Sequence, residues 1–545
     1  MPVIRLLAAV VLLPLCQVAA QQFPNVQAPT QNPITSAKVL LGKSLFWDEQ
    51  VSSTGTVACG TCHMPEAGGT DARVRFPAAG VRGTVHPGPD GTFGTPDDRV
   101  ASPGVPDNLA EGGYLASAWD LGPQVTARKS PSMINAVFHT QLFWDGRAGE
   151  RFDDPITGAL VLDGKAALES QAAGPPVSSV EMGHAGVSWT GIEARLATVR
   201  PLALASNLPA PLDAFVAGQT YPQLFQTAFG SPGVTAARVA MAIATYERTL
   251  VADDSRFDRW NGGQNPQWMS AQEVAGHQVF QGQGNCQGCH SPPFFSDGNF
   301  HRLGVRPYAE DPGRAGVTGQ NGDRSKFKTP SLRNVSLHGH FMHNGGFATL
   351  TEVVEFYDRG GDFSPAQIAP LGLSTQQKAD LVAFLHALTD ERVANRLPPF
   401  DRPMLFTESN RVPQEYGHGT TGSNGFVPDA VAIEPPHLGN ARFTVGVEDG
   451  LGGIFAALVL SLSEAAPGGY PAFGVQVFLG NDTMITHSLV ALAGNGAGTG
   501  WGSLVVPLPS APAFGGVPIH LQWFSLDAGG PQGITASEAI RFTLF

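Results

Sequence analysis

The chain has 545 residues with 42% apolar and 14% charged side chains, too apolar for an intrinsically disordered protein and long enough for about three domains. Its 66 glycines and 44 prolines follow no collagen period and point to a loop-rich fold. A formal charge of −13 with a pI near 5.6 and no basic tract excludes nucleic acid or an anionic membrane surface as the natural partner.

Residues 1–20 read as a secretory signal peptide: Arg5 precedes an apolar stretch from Leu6 to Leu15, and Val18-Ala19-Ala20 offers a small-residue cleavage site before Gln21. The mature chain is therefore expected to be exported, in the periplasm or outside the cell. No later apolar run is long enough for a transmembrane segment. Of the five cysteines the leader holds Cys16. The other four form two local Cys-x-x-Cys pairs, each followed directly by His, rather than the loop-closing disulfides usual in an exported chain.

The first motif, Cys59-Gly60-Thr61-Cys62-His63, follows the segment Leu41–Asp48; the second is Cys286-Gln287-Gly288-Cys289-His290. Both have the C-x-x-C-H form that attaches c-type haem, in which two thioethers anchor the porphyrin and the adjacent imidazole becomes the proximal iron ligand. Zinc or redox C-x-x-C pairs are the competing reading, but zinc usually gathers four ligands and a redox pair needs no trailing His. Two covalently bound c-type haems are therefore expected, with His63 and His290 as iron ligands and each haem in its own domain of a pseudo-repeat.

Between the motifs, residues 65–127 are rich in Gly, Pro and Asp and show no periodicity. His86-Pro87-Gly88-Pro89-Asp90-Gly91 and Gly94-Thr95-Pro96-Asp97-Asp98 read as a solvated turn region, with one calcium ion as the alternative, although the EF-hand ligand order is missing. Further on come Arg128–Ala136, Leu142-Phe143-Trp144-Asp145-Gly146-Arg147-Ala148, Leu168-Glu169-Ser170-Gln171-Ala172, and, after the second motif, Phe327–Val335.

Two helices are legible beyond them. Thr349-Leu350-Thr351-Glu352 has the capping-box form, Leu350, Val353, Val354 and Tyr357 share one face, and Gly360-Gly361 ends the run, so Tyr357 is expected to point inward. Ser374 with Gln377 caps a second helix that places Leu381, Phe384, Leu385 and Leu388 together. After Pro399 the texture changes to short apolar or alternating runs, Ala441–Val447, Phe473–Leu479 and Ile519–Phe524, separated by turn residues, the pattern of an antiparallel β-sandwich.

Taken together and in this order, the two haem motifs and the strings between 128 and 335 resemble the bacterial dihaem cytochrome c peroxidase family, which includes the MauG-type enzymes. The expected fold is multidomain: a signal peptide (1–20), an N-terminal, peroxidatic haem domain (21–255), a C-terminal haem domain for electron entry (256–400), a linker (401–435) and a β-sandwich accessory domain (436–545), the haem domains being mainly α and cytochrome c-like.

The resemblance implies an enzyme that reduces hydrogen peroxide with electrons from a small donor protein, a cytochrome c or a copper protein. The alternatives are a MauG-like oxidase of a protein or organic substrate and a non-catalytic electron carrier or redox sensor. It assigns Glu169 as the acid–base group at the first haem, provided that 149–167 is an insertion, with Glu150 and Asp153 next in line. It places Tyr357 as the sixth ligand of the second haem, with Met342 as runner-up. The family often has Gln immediately before Phe-Trp-Asp-Gly-Arg, where this chain has Leu142 with Gln141 one place earlier. His86 is a weak match to a dissociable histidine of the family, and His343 is expected to make a structural or propionate contact.

Overall fold

The computed structural model describes residues 23–74, 83–263, 265–481 and 485–545; the expected signal peptide, 1–20, lies outside the described residues. Helix α1 (Ser36–Phe46) starts where the Thr35 side chain accepts from the Lys38 amide, and it packs across α3 (Ala236–Glu247), whose residues are nearly all buried. The short helix α2 (Ala167–Ala172) leans on α3 as well. In the second half, α4 (Ala271–Gln281) crosses α6 (Thr375–Ala387), and α5 (Leu350–Asp358) leans on α6. The two halves thus repeat one arrangement.

Glycine makes both crossings possible. A β-carbon on Gly42 would run into the Ala242 carbonyl and the Tyr246 side chain, and one on Gly276 into the Asp380 carbonyl and Phe384. Because backbone rather than a flexible side chain is in the way, Gly42→Ala or Gly276→Ala must push two helices apart, at a cost of about 1–3 kcal/mol. Thermal unfolding is expected to register that loss; an unchanged midpoint would contradict the close crossing.

Both predicted capping boxes form. The Glu352 amide donates to Thr349 Oγ1 at 3.2 Å while the Thr349 amide donates to Glu352 Oε2 at 2.9 Å, and Ser374 with Gln377 repeats the exchange. Gly360, at φ 84°, ends α5 because only glycine takes that left-handed conformation without strain. The buried face of α5 is Leu350, Val354 and Phe356, with Tyr357 half-buried beside them.

Beyond residue 410 the described chain turns to antiparallel sheet. Strands β1 (Gln414–Tyr416), β2 (Asp429–Val431), β3 (Thr444–Gly452), β4 (Phe455–Ser461), β5 (Ile485–Ala491), β6 (Gly496–Val505), β7 (Pro518–Leu526) and β8 (Ile534–Thr543) form two sheets, ordered β2-β3-β6 and β5-β4-β7-β8-β1. Val445 and Val447 from the first sheet meet Leu458, Leu521, Trp523 and Ile540 from the second in one apolar core. Strands β1 and β2 lie within 401–435, the stretch read as a linker. The start of that stretch is also tied to the N-terminal half: Lys43 pairs with Asp401 at 2.8 Å, Arg402 with Glu66, and the Glu49 carboxylate accepts from the Phe406 and Thr407 amides.

The irregular region after the first motif docks onto these sheets. The Gly113 amide donates to Thr444 Oγ1 at 3.1 Å, the Leu121 amide to Glu448 Oε2 at 2.6 Å, and Ser503 Oγ to the Tyr114 carbonyl at 2.9 Å. His520 packs under Tyr416, its Nδ1 2.9 Å from the hydroxyl, and the His437 ring bonds the Leu438 carbonyl; these are packing histidines.

Candidate active site and haem-attachment sites

Cys59–Cys62 makes one helical turn, with Gly60 pressed so closely on Trp47 that a β-carbon would strike the indole, and Cys286–Gly288 makes a single 3₁₀ turn. All four thiols are unpaired and half-buried. His63 Nδ1 lies 3.1 Å from the Gly69 carbonyl, and His290 Nδ1 lies 2.9 Å from the Phe295 carbonyl. A carbonyl can only accept, so in both rings Nδ1 carries the proton and Nε2 keeps its lone pair, the arrangement that holds a metal-ligating imidazole in place. Burial pushes both imidazoles down from the ordinary histidine range, which favours that neutral form. Two free thiols beside an imidazole oriented in this way fit a covalently attached haem at each motif.

The repeat extends to the loops around the motifs. Asn135 and Asn334 both take left-handed backbone, at φ 61° and 62°, and their side-chain oxygens accept from the Ala252 and Asp390 amides. Phe143 and Met342 occupy matching left-handed positions, at φ 65° and 66°. Across the interface between the halves the hydrogen bonds are reciprocal: the Lys129 amide donates to the His343 carbonyl and the Lys328 amide to the Trp144 carbonyl, each at 2.8 Å. Trp144 meets His343 edge to face at 6.3 Å, and His343 stacks on Phe327 at 3.6 Å. The Pro131 and Pro330 carbonyls of these same segments reach His63 and His290 respectively, so each ligand histidine sits one short segment from the interface. Arg128 adds a bridge between the halves, pairing with Asp145 at 2.7 Å and Asp311 at 2.6 Å.

Tyr357 is brought to the second motif. Its hydroxyl pKa is pushed up by burial and by the nearby thiols of Cys286 and Cys289, and the hydroxyl makes no hydrogen bond among the described residues. Met342 stands in the loop that matches Phe143, half-buried.

Glu169 is fully buried, and both its oxygens are already accepting: Oε1 from Asn32 at 2.8 Å and Arg248 at 2.9 Å, Oε2 from Arg248 at 2.8 Å. Between the Trp144–Ala148 string and α2, Arg151–Asp153 pairs with Leu160–Asp163 in a hairpin. Glu150 is exposed at its base, and Asp153 pairs with Arg151. Sequence reasoning missed Glu247, the last residue of α3: it is 4% exposed, its Oε2 has no hydrogen-bond partner, and burial raises its pKa to about 8. The signal was present as a charge at a core-facing position of an otherwise apolar helix.

His86 is engaged in its own loop, its Nδ1 3.1 Å from the Gly88 amide and its ring against Trp119. The carboxylates of that loop accept from nearby backbone: Asp97 from the Asp90 amide, Asp98 from the Gly94 amide. Among the described residues, the ligand-type side chains close enough to share an ion are Cys289, Asp297 and His301, and the haem motif already claims the first.

These features define a c-type cytochrome built for two haems. Comparison with known proteins agrees. A family model described as di-haem cytochrome c peroxidase matches residues 36–266. A cytochrome-c peroxidase of Denitromonas iodatirespirans is 31% identical over 402 residues, covering 67% of this chain and 85% of that protein. The methylamine utilization protein MauG of Methylorubrum extorquens is 31% identical over 383 residues, covering 69% of this chain and 84% of its own length. A solved MauG-like protein associated with microbial copper homeostasis has a TM-score of 0.49 and 25% identity, covering 71% of this chain and 98% of that one. The chain belongs to the dihaem cytochrome c peroxidase family, whose relatives include MauG, and is an oxidoreductase of the cytochrome-c peroxidase type.

Proposed function

We propose that this chain is an exported dihaem peroxidase that reduces hydrogen peroxide at the His63 site with electrons entering through the His290 site from a small cytochrome c or copper protein. One observation carries the division of labour: the same helix of the repeat bears Glu169 in the first half, α2, and Tyr357 in the second, α5. Haem held at the two motifs would supply redox chemistry, electron transfer at one site and reaction with peroxide at the other.

The protein's own residues set which site does which. Gly69 and Phe295 hold His63 and His290 in the ligating tautomer. Tyr357 offers an oxygen to the second site, while Glu169 holds the buried Arg248 guanidinium in the first half. The reciprocal Lys129 and Lys328 contacts keep the halves in register, with Trp144 and His343 touching across the join. Tyr357 also favours the MauG-like reading, oxidation of a protein or organic substrate, because an oxygen ligand stabilises oxidised iron better than a thioether does.

Mass spectrometry after acid extraction is expected to show the chain plus two haems, since thioethers do not dissociate, and electron paramagnetic resonance of the oxidised protein should show two different ligation states. A chain carrying one haem or none, or two identical low-spin signals, would overturn the proposal.

A further inference from the structure

Glu247 is a buried carboxyl that the scheme above leaves unused. Its neighbour Arg248 turns both terminal nitrogens away, to the Glu169 carboxylate and the Lys165 carbonyl, and so does not pair with it. The ionisable groups that face Glu247 are Arg248, Glu169, the Tyr246 hydroxyl and the Cys59 thiol of the first motif. The repeat shows that the fold does not need a carboxyl here. Tyr246 over Gly42 matches Phe384 over Gly276, so the next residue, Glu247, stands where the second half has Leu385, part of that half's apolar core. An unpaired carboxyl at an apolar position costs stability. Such a group is a candidate for function, and burial, which raises its pKa to about 8, keeps it protonated near neutral pH.

We propose that Glu247 is the proton store of the first haem site, with the Glu169–Arg248 pair as its fixed electrostatic neighbour. Reducing hydrogen peroxide to two waters consumes two electrons and two protons. The electrons come from the donor protein of the proposed function, on which this inference rests. Glu247 breaks its O–H bond to release one of the protons to the departing oxygen and recovers one from solvent, which supplies the other.

The test is an infrared pH titration of the dihaem protein, paired with the pH profile of its reaction with peroxide, for the native chain, Glu247→Gln and Glu247→Leu. Because burial also raises Glu434 to about 8 and Glu49, Glu448 and Glu538 to about 7, the band that counts is the one in the native-minus-Glu247→Gln difference spectrum: a carboxylic-acid carbonyl that titrates near pH 8, with a native peroxide rate that declines over the same range. In Glu247→Gln the band should vanish and the rate should fall by about 10²-fold and lose that alkaline limb. Should Glu247→Gln fail to load both haems, Glu247→Leu, which copies the second half of the repeat, carries the same readouts.

A band and an alkaline limb that persist in a haem-loaded variant overturn the inference. So does failure of both variants to load haem, which would make Glu247 a folding residue. A titrating band in a native protein that does not react with peroxide overturns the peroxidase reading instead.

Discussion

Glu169→Gln should destabilise the N-terminal haem half by about 3–5 kcal/mol, the usual cost of removing one partner from a buried ion pair. The side chains of Glu169 and Arg248 are 0% and 1% exposed and meet through two charge-assisted bonds, so the amide would leave a guanidinium buried without its counter-charge. The peroxide reaction should slow by about 10²-fold or more, the usual share of a positioned acid–base group, the role that the family resemblance assigns to Glu169. Glu169→Leu combined with Arg248→Met separates the two effects. Replacing the whole pair with apolar groups should restore most of the stability without restoring the rate. Chemical denaturation and stopped-flow mixing with peroxide measure the two quantities; a double variant that recovers both would reduce the pair to packing.

Tyr357→Phe should alter the spectrum of one haem only and weaken the stabilisation of the oxidised states, whereas Met342→Leu should leave that spectrum unchanged. The expectation follows from helix α5: the Thr349 cap fixes where it starts, and the turn it sets brings the Tyr357 hydroxyl beside Cys286 and Cys289. Optical and electron paramagnetic resonance spectra of the two variants decide the matter. If the Met342 change removes the low-spin signal instead, the ligand is a thioether, Tyr357 is a core residue, and the plain peroxidase reading gains over the MauG-like one.

What the sequence makes legible is what is local. The spacing in Cys59–His63 and Cys286–His290 is dictated by the porphyrin, and the reciprocal bonds of Thr349 with Glu352 and Ser374 with Gln377 lie within four residues, so both can be read without knowing the fold. The alternating runs after 440 likewise become strands β3 and β7. The sheet begins earlier than the composition indicates, because β1 and β2 are short and gain their place only by pairing with β8 and β3.

The rest of the site depends on tertiary packing. Glu169 reads as a lone acid–base residue until the fold brings Arg248 and Asn32 to it from distant positions. Glu247 draws no notice in the sequence and stands out only once the fold buries it with one oxygen left without a partner. The reciprocal contacts of Lys129 and Lys328 appear only once the two halves face each other. No single position in the irregular stretch after the first motif announces its docking, which becomes visible only through Gly113, Tyr114 and Leu121 against the sheets.

The central claim is that one site reacts with peroxide and the other feeds it electrons. It is tested most directly by mixing the dihaem protein with peroxide and a reduced small cytochrome c or copper protein while the donor's colour is followed. The account predicts peroxide-dependent oxidation of the donor with two equivalents consumed per peroxide, abolished when Cys286 and Cys289 are replaced by Ala. A protein that carries both haems and leaves every such donor reduced in the presence of peroxide would contradict it.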